Sequence, residues 1–444
     1  MKILSNKPWV NYIVKTFFRT LNIQKKPDLT ISYDREIKKD GIVVFRGSHC
    51  KKNLKFKKEK IPIFHENKRK KMVGESILKF EDGSSAVSFD KRNNVIYCRA
   101  DILQTCFLLL TRKEEKGSPK DEYNRFKYEN SYIKEIETPI VNIYFEIMYY
   151  LLNLLLKKNK SKLLKKNPWP NNSPYAVCLT HDIDNVYKWY LKKVLSYIKK
   201  RKIGKLTKSI GRGEYWNFEK IMDCENKFNV KSTLFFLTIK RDEQPRYNIK
   251  RLRKIIEILH ENGWEIGLHS GPQSFDSHEN MKKEIQKIER VAGLKIKGNR
   301  NHYLKYNSEK TWQTLEKNKI IYDSSLGYSD QVGFKSGVCN PYNAYDYNNN
   351  KELKTVELPL VFMDNIFEMK DCNEKLNKLV ENVKKFNGLI VIDWHLRVFD
   401  TLDFPGYTKF YEKLLERFKQ DNAFICKCED VLDIYNKNKK AIEA

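Results

Sequence analysis

Two aspartates, Asp182 and Asp184, follow an apolar run, Ala176–Thr180, in the string Thr180-His181-Asp182-Ile183-Asp184. On an extended backbone alternate side chains share a face, so both carboxylates project to one side. Later apolar runs end in polar strings of the same kind: Gly267-Leu268-His269-Ser270, Arg300-Asn301-His302-Tyr303, Tyr322-Asp323-Ser324-Ser325 and Asp393-Trp394-His395. Of the eight histidines, His269, His302 and His395 stand at run ends, and His181 lies within another. A lone histidine in such a place is more often structural. Several converging with two carboxylates read as a site. Carboxylate oxygen and imidazole nitrogen together suit Zn²⁺ or a neighbouring divalent ion.

For these residues to meet, the runs must be neighbouring strands. Candidate strands are Ala176–Thr180, Ser232–Thr238, Glu265–His269, Lys295–Arg300, Ile320–Asp323, Val356–Val361 and Leu389–Trp394. Amphipathic stretches such as Ile249–Glu261 and Asn280–Ala292 lie between them, the alternation expected of βα units. The expected fold class is α/β, a closed or nearly closed (β/α) barrel of about seven strands, with an open parallel sheet as the alternative. In such a barrel the active site gathers at the C-terminal ends of the strands, where these polar strings fall. No GxGxxG or Walker-type loop occurs between a strand and a helix, which argues against nucleotide chemistry.

Residues 1–165 have another texture and predict a smaller mixed α+β module of unknown role. Ile42–Phe45 and Asn94–Cys98 read as short strands, Ile102–Leu110 as a helix stopped by Gly117-Ser118-Pro119, and Pro139–Leu156 as a buried helix. Residues 166–174, with Pro168, Pro170 and Pro174, form the expected linker, and the barrel should span residues 175–437.

At 444 residues the chain exceeds one ordinary core, and 41% hydrophobic with 32% charged residues makes it globular. The formal charge of +29 has two readings: a surface for an anionic partner, or lysines scattered over solvated faces. Basic runs occur at Lys68–Lys71, Lys157–Lys166 and Lys199–Lys208 without regular aromatic interleaving, so no nucleic-acid partner is expected. Peripheral contact with a membrane through these runs stays open. Nine irregularly spaced cysteines fit reduced thiols. Without a recognisable signal peptide or a transmembrane helix, the expected location is cytoplasmic.

The ordered strings THDID, GLHS, RNHY, YDSS and DWH, over about 260 residues from Tyr175 to near Tyr435, resemble the polysaccharide deacetylases of NodB homology, carbohydrate esterase family 4. The closer resemblance is to a bacterial subfamily with an uncharacterised N-terminal domain, matched by the texture of Asp101-Ile102-Leu103, Arg112–Glu115 and Thr138–Asn142. The resemblance implies a distorted barrel and a metal-dependent hydrolase that removes an N-acetyl or related acyl group from a sugar. It implies Asp182 as general base, Asp184 and His269 as metal ligands, Arg300 as the residue orienting the base, and His395 as general acid.

The chain departs from that family in two places. The family's second metal histidine usually lies four residues after the first, where this chain has Gln273, and its usual proline is replaced by His302. His302 is therefore expected as the third ligand of a divalent ion, most simply Zn²⁺. A two-ligand site completed by water, a metal-free site, or His302 as a substrate contact are the alternatives. Tyr303 and Trp394 are candidates to stack on the sugar. The rival function is a catalytically impaired barrel serving as a glycan-binding or scaffold protein in surface-polysaccharide synthesis.

Overall fold

Alternating apolar side chains in the first part of the chain build a mixed sheet with the order β1-β2-β3-β8-β7-β6. The elements, seen in a computed structural model, are β1 (Lys2–Leu4), α1 (Pro8–Thr20), β2 (Thr30–Tyr33), β3 (Gly41–Val44), the hairpin β4 (Ser48–Phe56) and β5 (Glu59–Glu66), β6 (Glu75–Lys79), β7 (Ser85–Asp90) and β8 (Val95–Cys98). Helices α2 (Ile102–Leu110) and α3 (Ile140–Leu156) follow. The structure describes residues 1–123, 125–186, 215–238 and 247–444. The basic run Lys199–Lys208 lies outside the described residues.

The Asp101 carboxylate caps α2 by accepting the Gln104 N–H at 3.0 Å. Helix α3 is apolar nearly all round, as a helix packed on several sides must be. Extended to Asn159, it is long and apolar enough to cross a bilayer, yet 67% of that stretch is buried inside this fold.

The second sheet carries the polar strings. Its strands are β9 (Ala176–Ile183), β10 (Thr233–Leu237), β11 (Glu265–Ser270), β12 (Gly298–Asn301), β13 (Tyr322–Asp323), β14 (Tyr342–Asp346), β15 (Lys351–Glu357), β16 (Leu360–Met363), β17 (Leu389–Asp393) and β18 (Phe424–Cys426). Their order is β14-β15-β13-β12-β11-β10-β9-β17-β16, with β18 on the first half of β9. All ladders are parallel except β14–β15. Helices α4 (Phe218–Lys227), α5 (Arg253–Glu261), α6 (His278–Ala292), α7 (Thr311–Lys317), α8 (Cys372–Lys385), α9 (Tyr407–Gln420) and α10 (Cys428–Glu443) complete the chain.

The α/β class and the curled sheet of the expected barrel are present, and two details of that expectation change. Among the described residues the sheet has ten strands and no ladder joins its ends, the open alternative to full closure. The single strand expected over Val356–Val361 is two, β15 and β16, parted at Pro359, which has no N–H to give a ladder. The gap is bridged by single bonds from Leu360 N–H to Leu326 C=O (3.0 Å) and from Gly333 N–H to Val361 C=O (2.9 Å). Cys426 ends β18 and Cys428 opens α10. All nine cysteines are free and buried.

One apolar cluster runs through both parts of the chain, from Val10 and Phe17 to Tyr342 and Ile442. The seam is also tied by hydrogen bonds: Val141 N–H to Gly337 C=O (2.7 Å), Cys339 N–H to the Asn142 side chain (3.0 Å), and the Tyr12 hydroxyl to Asn343 C=O (2.8 Å). The N-terminal module is thus a wall of the second sheet's core, not an appendage on a free linker.

Candidate active site

Strand alternation aims Asp182 and Asp184 from β9 toward the inside of the curled sheet, and His181 the other way. His181 is fully buried behind the sheet, with Nδ1 2.5 Å from Trp394 C=O and Nε2 2.9 Å from Glu225. A cavity of about 520 Å³ opens over the C-terminal strand ends, lined by Asp182, Asp184, His269, His302, His395 and Arg397 among others.

At its floor Asp184 Oδ1, His269 Nε2 and His302 Nδ1 form a triangle with sides of 3.2, 3.2 and 2.9 Å. His269 Nδ1 donates to Arg300 C=O at 2.9 Å, which leaves the lone pair of Nε2 facing the triangle. Asp184 Oδ1 is buried, and among the described residues it faces only the two imidazole nitrogens of the triangle, with no aligned hydrogen bond to another donor. Three lone-pair atoms at these separations fit one cation. Ligand bonds of about 2.0–2.1 Å would set donors about 3.3 Å apart in a tetrahedral site and about 2.9 Å apart in an octahedral one. The observed sides lie between those limits. Burial opposes ionisation of Asp184, but the His302 and His269 imidazoles hold its carboxyl well below the usual range.

Asp182 sits beside this triangle, with Oδ2 3.6 Å from His269 Nε2. Arg300 Nη1 donates to its Oδ1 at 3.0 Å and to Thr180 Oγ1 at 2.6 Å. The guanidinium is fully buried, and its Nε also donates to Ser324 C=O at 3.0 Å. One carboxylate oxygen of Asp182 is therefore fixed while the other faces the cavity.

On the opposite side His395 Nε2 lies 3.6 Å from Asp184 Oδ2. Ligating atoms of Asp182, Asp393 and His395 all fall within 4.8 Å of one another. His395 Nδ1 donates to Asp364 Oδ2 at 2.7 Å. Burial alone would push the imidazolium down, but Asp364 and Asp393 outweigh it and the pKa rises to about 10. Burial would lift Asp364, yet His395 beside it holds that carboxyl below its usual range. Asp393 is raised to about 6, by burial first and then by Asp182.

Three cavity residues escaped the sequence reading. Asp364 follows β16, a strand end hidden by the break at Pro359. Arg397 lies in the short 3-10 turn Leu396–Phe399 after His395 and donates to Asp184 Oδ2 at 3.1 Å, a placement strand alternation does not predict. Arg125 comes from the N-terminal module and donates to Ser329 Oγ at 2.6 Å on the cavity wall. No local pattern marks such a contact.

Trp394 is corrected. It is fully buried, stacked on Phe410 and Tyr411 with ring centroids 6.0 and 5.6 Å away, and cannot reach a sugar. Alternation puts it on the face opposite Asp393 and His395. Gln273 is exposed in the loop after β11 and His278 opens α6; neither lines the cavity. Tyr303 does line it, with φ of +60°, followed by Leu304 at +52°. Left-handed backbone costs about 1–2 kcal/mol per non-glycine residue and persists only where surroundings hold it.

A family model described as a family of unknown function, DUF7033, matches residues 2–157. No curated protein matches the chain. Solved structures similar to it include an allantoinase, PuuE, at 14% identity over 62% of this chain and 94% of that one, with a TM-score of 0.44. A probable polysaccharide deacetylase from Pseudomonas aeruginosa PAO1 is 15% identical over 61% and 94%, with a TM-score of 0.42. A mutant of the peptidoglycan deacetylase PdaC from Bacillus subtilis is 12% identical over 61% and 95%, with a TM-score of 0.32.

Proposed function

We propose that this chain is a metal-dependent hydrolase that removes an N-acetyl or related acyl group from a sugar, breaking a carbon–nitrogen bond that is not a peptide bond. One observation carries the reading: the lone-pair triangle of Asp184, His269 and His302 lies between a carboxylate fixed by Arg300 and an imidazole fixed by Asp364. A cation site flanked by a base and an acid suits amide hydrolysis by water near neutral pH.

Asp184, His269 and His302 would hold a divalent ion such as Zn²⁺, which when bound would polarise the acyl carbonyl and acidify the attacking water. Asp182 takes a proton from the water as its oxygen bonds to the acyl carbon. Arg300 keeps Asp182 aimed, because its guanidinium holds the other carboxylate oxygen. When the carbon–nitrogen bond breaks, imidazolium at His395 gives its Nε2 proton to the departing amine. The raised pKa keeps that proton available through neutral pH. The products are a carboxylic acid and an amino sugar.

We divide the chain into a module of residues 1–165, a linker of 166–174 and a catalytic part of 175–437, sharing one apolar core. The second reading, a glycan-binding barrel without catalysis, is favoured by the exposure of Gln273 where a ligand histidine would be expected. Elemental analysis of the purified protein, paired with acetate release from a panel of N-acetylated mono- and oligosaccharides, decides between them. The hydrolase reading expects one divalent ion per chain and release that stops on chelation and returns with zinc. A protein that binds no divalent ion and releases no acetate overturns it.

A further inference from the structure

The N-terminal module does more than cover the core, because one of its turns reaches the active site. After the break at Gly117-Ser118-Pro119, Asp121 anchors both Tyr123 and Arg125. That carboxylate accepts the N–H of Tyr123 (2.9 Å), the N–H of Arg125 (2.7 Å) and Nε of Arg125 (2.7 Å). Asp121 N–H donates back to Arg125 C=O at 2.8 Å. Arg125 then ties the turn to the opposite module through Ser329. The bond from the Tyr123 N–H holds the backbone that carries its ring, and the others hold Arg125 beside it.

That ring stacks on Tyr303, with centroids 5.4 Å apart and planes 29° apart. The Arg125 guanidinium lies 4.8 Å from the Tyr123 centroid, and the Tyr303 and His302 ring centroids lie 3.9 Å apart with planes tilted by 47°. Four planar groups, Arg125, Tyr123, Tyr303 and His302, thus form a ladder from the N-terminal module to the ligand triangle. Its third rung is the residue with φ of +60°. A backbone in that region relaxes unless neighbours hold it, and relaxation there would swing His302, one residue earlier, out of the triangle.

We infer that Tyr123 is a positioning residue for His302, so that the module of unknown function is an integral part of the active site. Tyr123 is 43% exposed, so its role is not that of a core side chain. The guanidinium of Arg125 is matched by Asp121, so the turn adds little net charge to the cavity and acts through contact geometry. The inference rests on the reading of His302 as a ligand only for its metal arm.

Two measurements on the full chain test it. Zinc affinity by competition with a chromophoric chelator should fall roughly 10- to 100-fold in Tyr123→Ala, the loss typical of removing a group that orients a ligand. It should return in Tyr123→Phe, since the stack does not use the hydroxyl. Unchanged affinity in Tyr123→Ala overturns the inference while leaving the hydrolase reading intact. The second arm needs no metal: in histidine-labelled protein, the His302 ring resonances should move in Tyr123→Ala, and His278 and His260 should not. Should the wild type bind no zinc, the ligand role of His302 falls and the resonances alone decide. Superimposable His302 signals in wild type and Tyr123→Ala would then end the positioning role as well. Matching melting curves for the variants exclude a general loss of fold.

Discussion

Asp364 accepts two hydrogen bonds from a single residue: Oδ2 takes the backbone N–H of His395 at 2.9 Å and its ring Nδ1–H at 2.7 Å. The pair fixes the ring's rotation and its tautomer together, and points Nε2 at the cavity. It also sets the pH range of the proposed acid. The folded pKa of about 10 lies above the ordinary histidine value, so the imidazolium persists up to that pH and is lost as pH rises through it. The matching stability contribution is fully present below about pH 6.5 and disappears over the same rise. In Asp364→Asn the alkaline limb of kcat/KM should drop by at least about 2 pH units. An unmoved limb in a pH–rate profile would remove His395 from the acid role.

Asp182 and Asp184 are chemically alike and differ in what they touch. Asp182→Asn should lower turnover by about 10²–10⁴-fold, because an amide cannot take the water's proton, while zinc content stays near one per chain. Asp184→Asn removes a corner of the triangle and should lose the zinc itself. Elemental analysis beside kinetics separates the two. Equal zinc contents in both variants would cancel the division of roles.

Much of the site's placement was readable because it depends on period-two alternation, which sequence displays directly. Asp182 with Asp184, Arg300 with His302, and Asp393 with His395 share faces for that reason alone. The same rule would have turned Trp394 inward to α9, had it been applied there. Asp364 was not readable, since Pro359 moves a strand end by a few residues and only the ladder β16–β17 reveals where it falls. Arg125 and Tyr123 were not readable for a stronger reason. Their contacts, Ser329 and Tyr303, lie far along the chain, and no local periodicity encodes a contact across that separation. The open edge of the sheet was equally hidden: single bonds to Leu326 and Val361 replace the ladder that a regular alternation would predict.

The replacement of Gln273 by His302 as third ligand is open to a direct comparison. His302→Ala should lose zinc and hydrolysis together, whereas Gln273→Ala, altering an exposed loop residue, should leave both within about twofold. Zinc retained at wild-type affinity in His302→Ala would reduce His302 to a substrate contact.

The last prediction concerns the seam between the modules. Arg112 is fully buried in a left-handed conformation, φ +53°, and pairs with Glu114 at 2.5 Å and with Glu115 at 2.9 Å. It also donates to the C=O of Lys335, across the seam. Lys335 in turn stands 3.5 Å from Glu115, with its amine pushed down by burial more than Glu115 lifts it. Removing the guanidinium leaves two buried carboxylates facing, among the described residues, only Lys335, weakened by burial, and Lys120, 3.9 Å from Glu115. Breaking a buried network on one side costs about 3–5 kcal/mol, far more than its net worth when whole. Arg112→Ala should therefore lower stability in urea by about that amount. Because one apolar cluster spans both modules, fluorescence and circular dichroism should report a single shared transition in wild type. In the variant the seam should weaken first, and the two probes should separate. A variant that unfolds at the wild-type midpoint, with the probes still coincident, would show that apolar contact alone holds the modules together.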